Sequence, residues 1–103
     1  MANNLLANPM QISGSMAQGY KAATAASLGT LRTLVVEKLE WLSPATIGDT
    51  IVIGDPVSGL ELAKFVCEVA LQTQILDWTA NPRIWQDFEI NSFPSGTLKI
   101  FTR

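Results

Sequence analysis

From residue 31 onward the chain alternates between apolar and polar positions. In LRTLVVEKLEWL (31–42), Thr33, Val35, Leu39 and Trp41 share one side, with Glu37 among them; Arg32, Lys38 and Glu40 share the other. That period of two, with one exception, predicts a strand. A helical stripe through Leu31, Leu34, Val35, Leu39 and Leu42 competes, and Pro44 ends either element. TIVI (50–53), fenced by Gly48-Asp49 and Gly54-Asp55, predicts a short buried strand. GDPVSG (54–59) has the chemistry of a hairpin loop, since Pro56 pre-sets its φ and Gly59 can take a positive one.

The next run, LELAKFVCEVAL (60–71), admits two readings. A strand gathers Glu61, Ala63, Phe65, Cys67 and Val69; a helix gathers Leu60, Ala63, Val66, Cys67, Ala70 and Leu71. After a short hairpin loop an antiparallel strand is the simpler continuation. TQILDW (73–78) and IWQDFEI (84–90) follow, the latter with Ile84, Gln86, Phe88 and Ile90 opposite Trp85, Asp87 and Glu89. TLKIFTR (97–103) sets Leu98 and Ile100 against Lys99, Phe101 and Arg103, and the turn at 94–96 is expected to return it beside 84–90. Six short runs separated by turn signals predict an all-β chain, a small antiparallel β-sandwich or jelly-roll-like barrel.

Residues 1–30 read differently. They are small and polar, and Pro9 stops any helix begun at 4–7. MQIS (10–13) suits a short strand; KAATAAS (21–27) is alanine-rich but lacks an apolar stripe to anchor a helix. The expectation is an extended N-terminal arm (1–30) on a β-sandwich domain (31–103). Leu5, Leu6, Met10 and Ile12 on the arm are apolar points spaced for docking on a partner.

Composition sharpens this picture. Hydrophobic residues make up 48% of the 103-residue chain and charged residues 16%, against about 25% charged in an ordinary soluble domain. So little charge on a small body predicts that protein covers part of the surface, with a homodimer or homotrimer as building block. The net charge of −2 and seven scattered Lys and Arg residues argue against nucleic acid. No apolar stretch is long enough for a membrane span, and no basic residue precedes Lys21, so a signal-peptide start is not expected. A single cysteine fits synthesis in a reducing cytoplasm.

The candidate chemistry is sparse. With no histidine, Ser-His-Asp and Cys-His catalysis and histidine-based metal sites are excluded. Cys67, in an apolar run, reads as a buried structural thiol. Asp87 and Glu89 share one strand side; a glycosidase needs two carboxylates facing each other across a sugar, and this pair reads instead as outward and solubilising. Asp49 and Asp55 read as turn formers, and no glycine-rich phosphate loop is present. A non-enzyme without catalytic, cofactor or metal residues is expected. Trp41, Trp78 and Trp85 are expected in the core or at a protein interface; an exposed row of them would instead make a sugar-stacking platform.

MANNLLANPMQI at the start, LVVEKLEWLSPATIGDTIVIGD in the middle and SGTLKIFTR at the end resemble small β-sandwich proteins of tailed-bacteriophage virions. The resemblance implies a capsid cement or decoration role, with a head–tail or tail-associated part as the alternative. It implies the major capsid protein or other virion subunits as partners, and a place on the capsid surface after assembly in the host cytoplasm. It carries no catalytic residue.

Overall fold

A computed structural model of the chain describes residues 3–5, 8–16, 19–28 and 34–102. Among these residues seven strands and one helix follow in order: β1 (Met10–Ile12), α1 (Tyr20–Leu28), β2 (Leu34–Leu42), β3 (Thr50–Gly54), β4 (Glu61–Val66), β5 (Gln74–Asp77), β6 (Arg83–Trp85) and β7 (Thr97–Thr102). All strand pairs are antiparallel. One sheet runs β1-β7-β2, with β5 and β6 sharing the far edge of β2; the second is the β3-β4 hairpin. The result is the expected small, all-β, sandwich-like fold.

The pairing registers explain the core. On the inner face of the large sheet, Met10, Ile100, Leu39 and Leu76 form one cross-strand row, and Ile12, Leu98, Trp41 and Gln74 the next. Ile51, Ile53, Ala63 and Phe65 of the hairpin close over them. Trp41 and Phe65 meet across the two sheets, ring centroids 5.9 Å apart. On the outer face the matching row is Gln11, Lys99, Glu40 and Ile75. Beside it, Lys38 pairs with Glu40 at 3.1 Å and lies over the Phe101 ring.

Several expectations about phase are corrected. In β2 the buried residues are Leu34, Val36, Leu39 and Trp41, whereas Val35 and Glu37 are only partly buried. The register against β7 shifts between Val36 and Lys38. An extra residue in one strand moves all later side chains to the other parity, so the exception in the alternation was a bulge. The run at 60–71 is a strand only to Val66, and Glu61 and Val69 are exposed. Strand β6 stops at Trp85; Trp85 points inward with Phe88 and Ile90, and Ile84 is exposed. The last strand does not return beside 84–90: β7 lies between β1 and β2, while β6 pairs with β2.

The described parts of the expected arm belong to the domain. Met10 and Ile12 are buried, at 3% and 0% exposure, because β1 is the edge strand that covers β7. Asparagine side chains hold this strand in place. Asn3 Oδ1 accepts from the Ser13 and Gly14 amides, and Asn3 Nδ2 donates to the Gly14 carbonyl. Asn8 Nδ2 donates to the Thr102 carbonyl and its Oδ1 accepts from the Thr102 amide. Ile12→Ala is therefore expected to lower stability by about 2–5 kcal/mol, read as a lower urea midpoint at unchanged m-value. An arm lying outside the core would leave the midpoint where it is.

Helix α1 also replaces expected arm. Its sequence lacks a stripe, so the anchor is tertiary. Tyr20 stacks on Phe88 at 5.2 Å, and Thr24 is buried with its hydroxyl donating to the Tyr20 carbonyl. Asp87 Oδ1 accepts from the Lys21 amide at 2.9 Å and so caps the first turn. Asp87 is thus a helix cap from a distant loop, not the solubilising surface residue expected.

Candidate functional site

The three tryptophans do not form a platform. Trp41 is fully buried and donates its Nε1 hydrogen to the Ser95 carbonyl at 3.0 Å. Trp85 is buried against Phe88. Trp78 is half-buried, its ring meeting the edge of Trp85 at 6.2 Å, with the Arg83 guanidinium over it. Of the two places expected for the tryptophans, Trp41 and Trp85 take the core and not an interface, and the sugar-stacking alternative loses its aromatic row. Of the expected arm contacts, Met10 and Ile12 are core and Leu5 packs half-buried against that core; Leu6 lies outside the described residues.

A set of exposed apolar side chains lies elsewhere. Two loops at one end of the sandwich, 43–49 and 67–73, are stapled by backbone hydrogen bonds. Gly48 donates to the Cys67 carbonyl, Cys67 to the Asp49 carbonyl and Leu71 to the Pro44 carbonyl, all at 2.7–2.8 Å. They present Ile47 at 67%, Val69 at 54% and Leu71 at 70% exposure, with exposed Ala45 and Ala70 on the same two loops. Ser95 ties the first loop to the end of β7: its hydroxyl donates to Asp49 Oδ2 at 2.7 Å and accepts from the Ala45 amide at 2.9 Å. Beneath the loops Cys67 is buried, its thiol within 3.5 Å of the Val69 carbonyl.

This end also stores backbone strain. Leu71 has φ of 65° and Ser43 of 53°. A branched side chain in the left-handed region costs about 1–2 kcal/mol, and glycine or asparagine ordinarily takes such positions. Leu71 is thus unfavourable twice, once in its backbone and once in its exposed apolar side chain. Strain held by surrounding hydrogen bonds clusters at sites with a function. Sequence reading assigned 60–71 to one element and so missed this set; a positive φ at a leucine leaves no mark in a periodicity.

Among the described residues no group of three or more His, Cys, Asp or Glu side chains could hold a metal ion, and no helix is long and apolar enough to cross a membrane. The Asp55 carboxyl sits below its ordinary pKa, chiefly through the Val57 amide, and that of Asp77 through the Thr79 hydroxyl. Both carboxylates terminate local turns. Comparison with protein-family models, with curated proteins and with solved structures finds no match.

Proposed function

We propose that this chain is a non-enzymatic assembly protein whose apolar end seats on another protein subunit, in the manner of a capsid cement or decoration protein of a tailed-phage virion. The observation that carries the reading is the exposed set Ile47, Val69 and the strained Leu71 on two stapled loops. Rigid loops lose little entropy on docking, so most of the burial energy is kept. Complete burial of each such side chain contributes about 1.5–3 kcal/mol. One contact of this size is weak, but many copies on a fixed lattice bind multivalently. The virion assignment itself rests on the sequence resemblance, and a homodimer or homotrimer as building block rests on the low charge and on symmetry.

Two measurements test the reading. Sedimentation at high micromolar concentration is expected to give a mass above the 11.2 kDa of one chain. The variant Ile47→Ser, Val69→Ser, Leu71→Gly is expected to sediment as a monomer; two identical monomers would overturn the assembly role of this end. Mass spectrometry of purified virions is expected to detect the chain, and its absence from them would overturn the virion assignment.

Leu71→Gly alone gives a further expected result. Relief of the left-handed leucine, less the extra chain entropy of glycine, is expected to raise stability by about 0.5–1 kcal/mol while weakening self-association. Thermal melts and sedimentation together check this opposite-sign pair; a purely structural role for Leu71 gives no change in association.

A further inference from the structure

We propose that the outer edge of β3 is a strand-addition site for a short, extended, basic segment of a partner polypeptide. This site is separate from the apolar end and does not depend on the reading of that end.

The backbone sets the site. Gly54 and Glu89 exchange two hydrogen bonds, Gly54 N–H to the Glu89 carbonyl at 3.0 Å and Glu89 N–H to the Gly54 carbonyl at 2.8 Å. Along a strand, hydrogen-bonding direction alternates. Residues Ile51 and Ile53 therefore point their backbone groups at β4, and Thr50 and Val52 point theirs the same way as Gly54. Continuing the antiparallel register would put Asn91 opposite Val52. The chain bends at Asn91 instead, so the ladder that begins at Gly54 and Glu89 opens like a fork. The backbone amides and carbonyls of Thr50 and Val52 face the gap without a backbone partner among the described residues. Free edge groups of this kind are a template for another strand.

The gap is a cleft of about 550 Å³, lined by Thr50, Val52 and Gly54 on one side, by Glu89, Asn91 and Ser92 on the other, and closed at one end by 59–61 and Asp55. That volume lies within the range of ordinary ligand clefts. The register places Glu61 and Glu89 on either side of Gly54. With strands about 4.8 Å apart, the two glutamates flank a notch that the missing glycine side chain leaves open.

Charge selects the occupant. Three acidic residues, Asp55, Glu61 and Glu89, line the cleft, and among the described residues no basic side chain does. Lys21 acts on Asp55 from outside the lining, and Lys64 is paired opposite Val52 on β4. Among the described residues Glu61 has no ion pair, and the Glu89 carboxylate accepts from Asn91 Nδ2 at 3.4 Å. A lysine or arginine of the added strand would lay its stem along Val52 and Leu60 and its head between the two glutamates.

The test uses an acetylated, amidated pentapeptide alternating arginine and valine, titrated against the full chain with amide chemical shifts as readout. Shifts are expected at Val52, Gly54, Glu61 and Glu89, with slowed hydrogen exchange at Val52. The double variant Glu61→Gln, Glu89→Gln is expected to bind about tenfold or more weakly, as for lost charged hydrogen bonds. Both side chains lie outside the core, so the remaining spectrum should be unchanged. Gly54→Val fills the notch and keeps the charges; a Cβ at Gly54 meets nothing nearer than the Leu60 carbonyl at 3.7 Å, so it is expected to fold and to bind weakly. The peptide N-methylated at its central residue is expected not to bind. Equal binding of a glutamate-valine peptide, equal binding of the N-methylated peptide, shifts spread over Glu68 and Asp77, or no binding at millimolar peptide would each overturn the proposal.

Discussion

A chain ending at Thr97 is expected not to fold. Leu98 and Ile100 are fully buried, and each apolar side chain of that size lost from a core costs about 2–5 kcal/mol. Strand β7 also pairs with β1 along the whole length of β1 and with β2 along Val36–Leu42. Its removal frees both edges at once. The total stability of a domain this size is about 5–15 kcal/mol, so the two side chains and two strand pairings together remove most or all of it. Circular dichroism and tryptophan fluorescence of the truncated chain check this. A cooperative melt near that of the full chain would mean that β7 is a loose strand.

Gly96→Ala is expected to be the most damaging single small substitution. Gly96 has φ of 77°, and a Cβ there would stand 2.5 Å from the Leu42 carbonyl oxygen and 2.9 Å from Trp41 Nε1. The left-handed backbone costs about 1–2 kcal/mol, and forced displacement of packed groups adds about 1–3 kcal/mol. The neighbour that must move is backbone, and the Trp41 bond to Ser95 moves with it. A loss of about 3 kcal/mol corresponds to a fall in Tm of roughly 12–24 °C. Gly59→Ala is the control: its φ is also 77°, but nothing lies within 4 Å of the added Cβ, so only the backbone cost remains. Equal melting of the two variants would show that the close approach at Gly96 does not matter.

Local patterning carried the fold class. Turn residues at 54–59 appear in the β3-β4 hairpin and the alternation from residue 97 as β7, whereas 50–53, read as a buried strand, leaves Val52 exposed. What stayed hidden was set by distant groups. The bulge near Glu37 reverses the inward parity of β2, and a one-residue insertion reads in a sequence only as an exception. Asp87 caps a helix that starts at Tyr20, and no local signal joins them. Met10 and Ile12 look like points on an arm because their partner, β7, lies at the other end of the sequence. The apolar end was illegible for a related reason: Ile47, Val69 and Leu71 come from two loops joined only by backbone hydrogen bonds.

The central place of β7 has a kinetic consequence. Asn8 and Thr102, which hold β1 to β7, are 94 residues apart, and closing a loop of that length costs on the order of 4 kcal/mol of chain entropy. Non-local β pairing of this kind folds in milliseconds to seconds. Until β7 arrives, β2 has an open edge and the Leu39 and Trp41 side chains lack their neighbours from Leu98 and Ile100. An intermediate of that form is prone to associate through the exposed edge, so refolding yield should fall as protein concentration rises, while the refolding rate at high dilution stays fixed by the closure of the two ends.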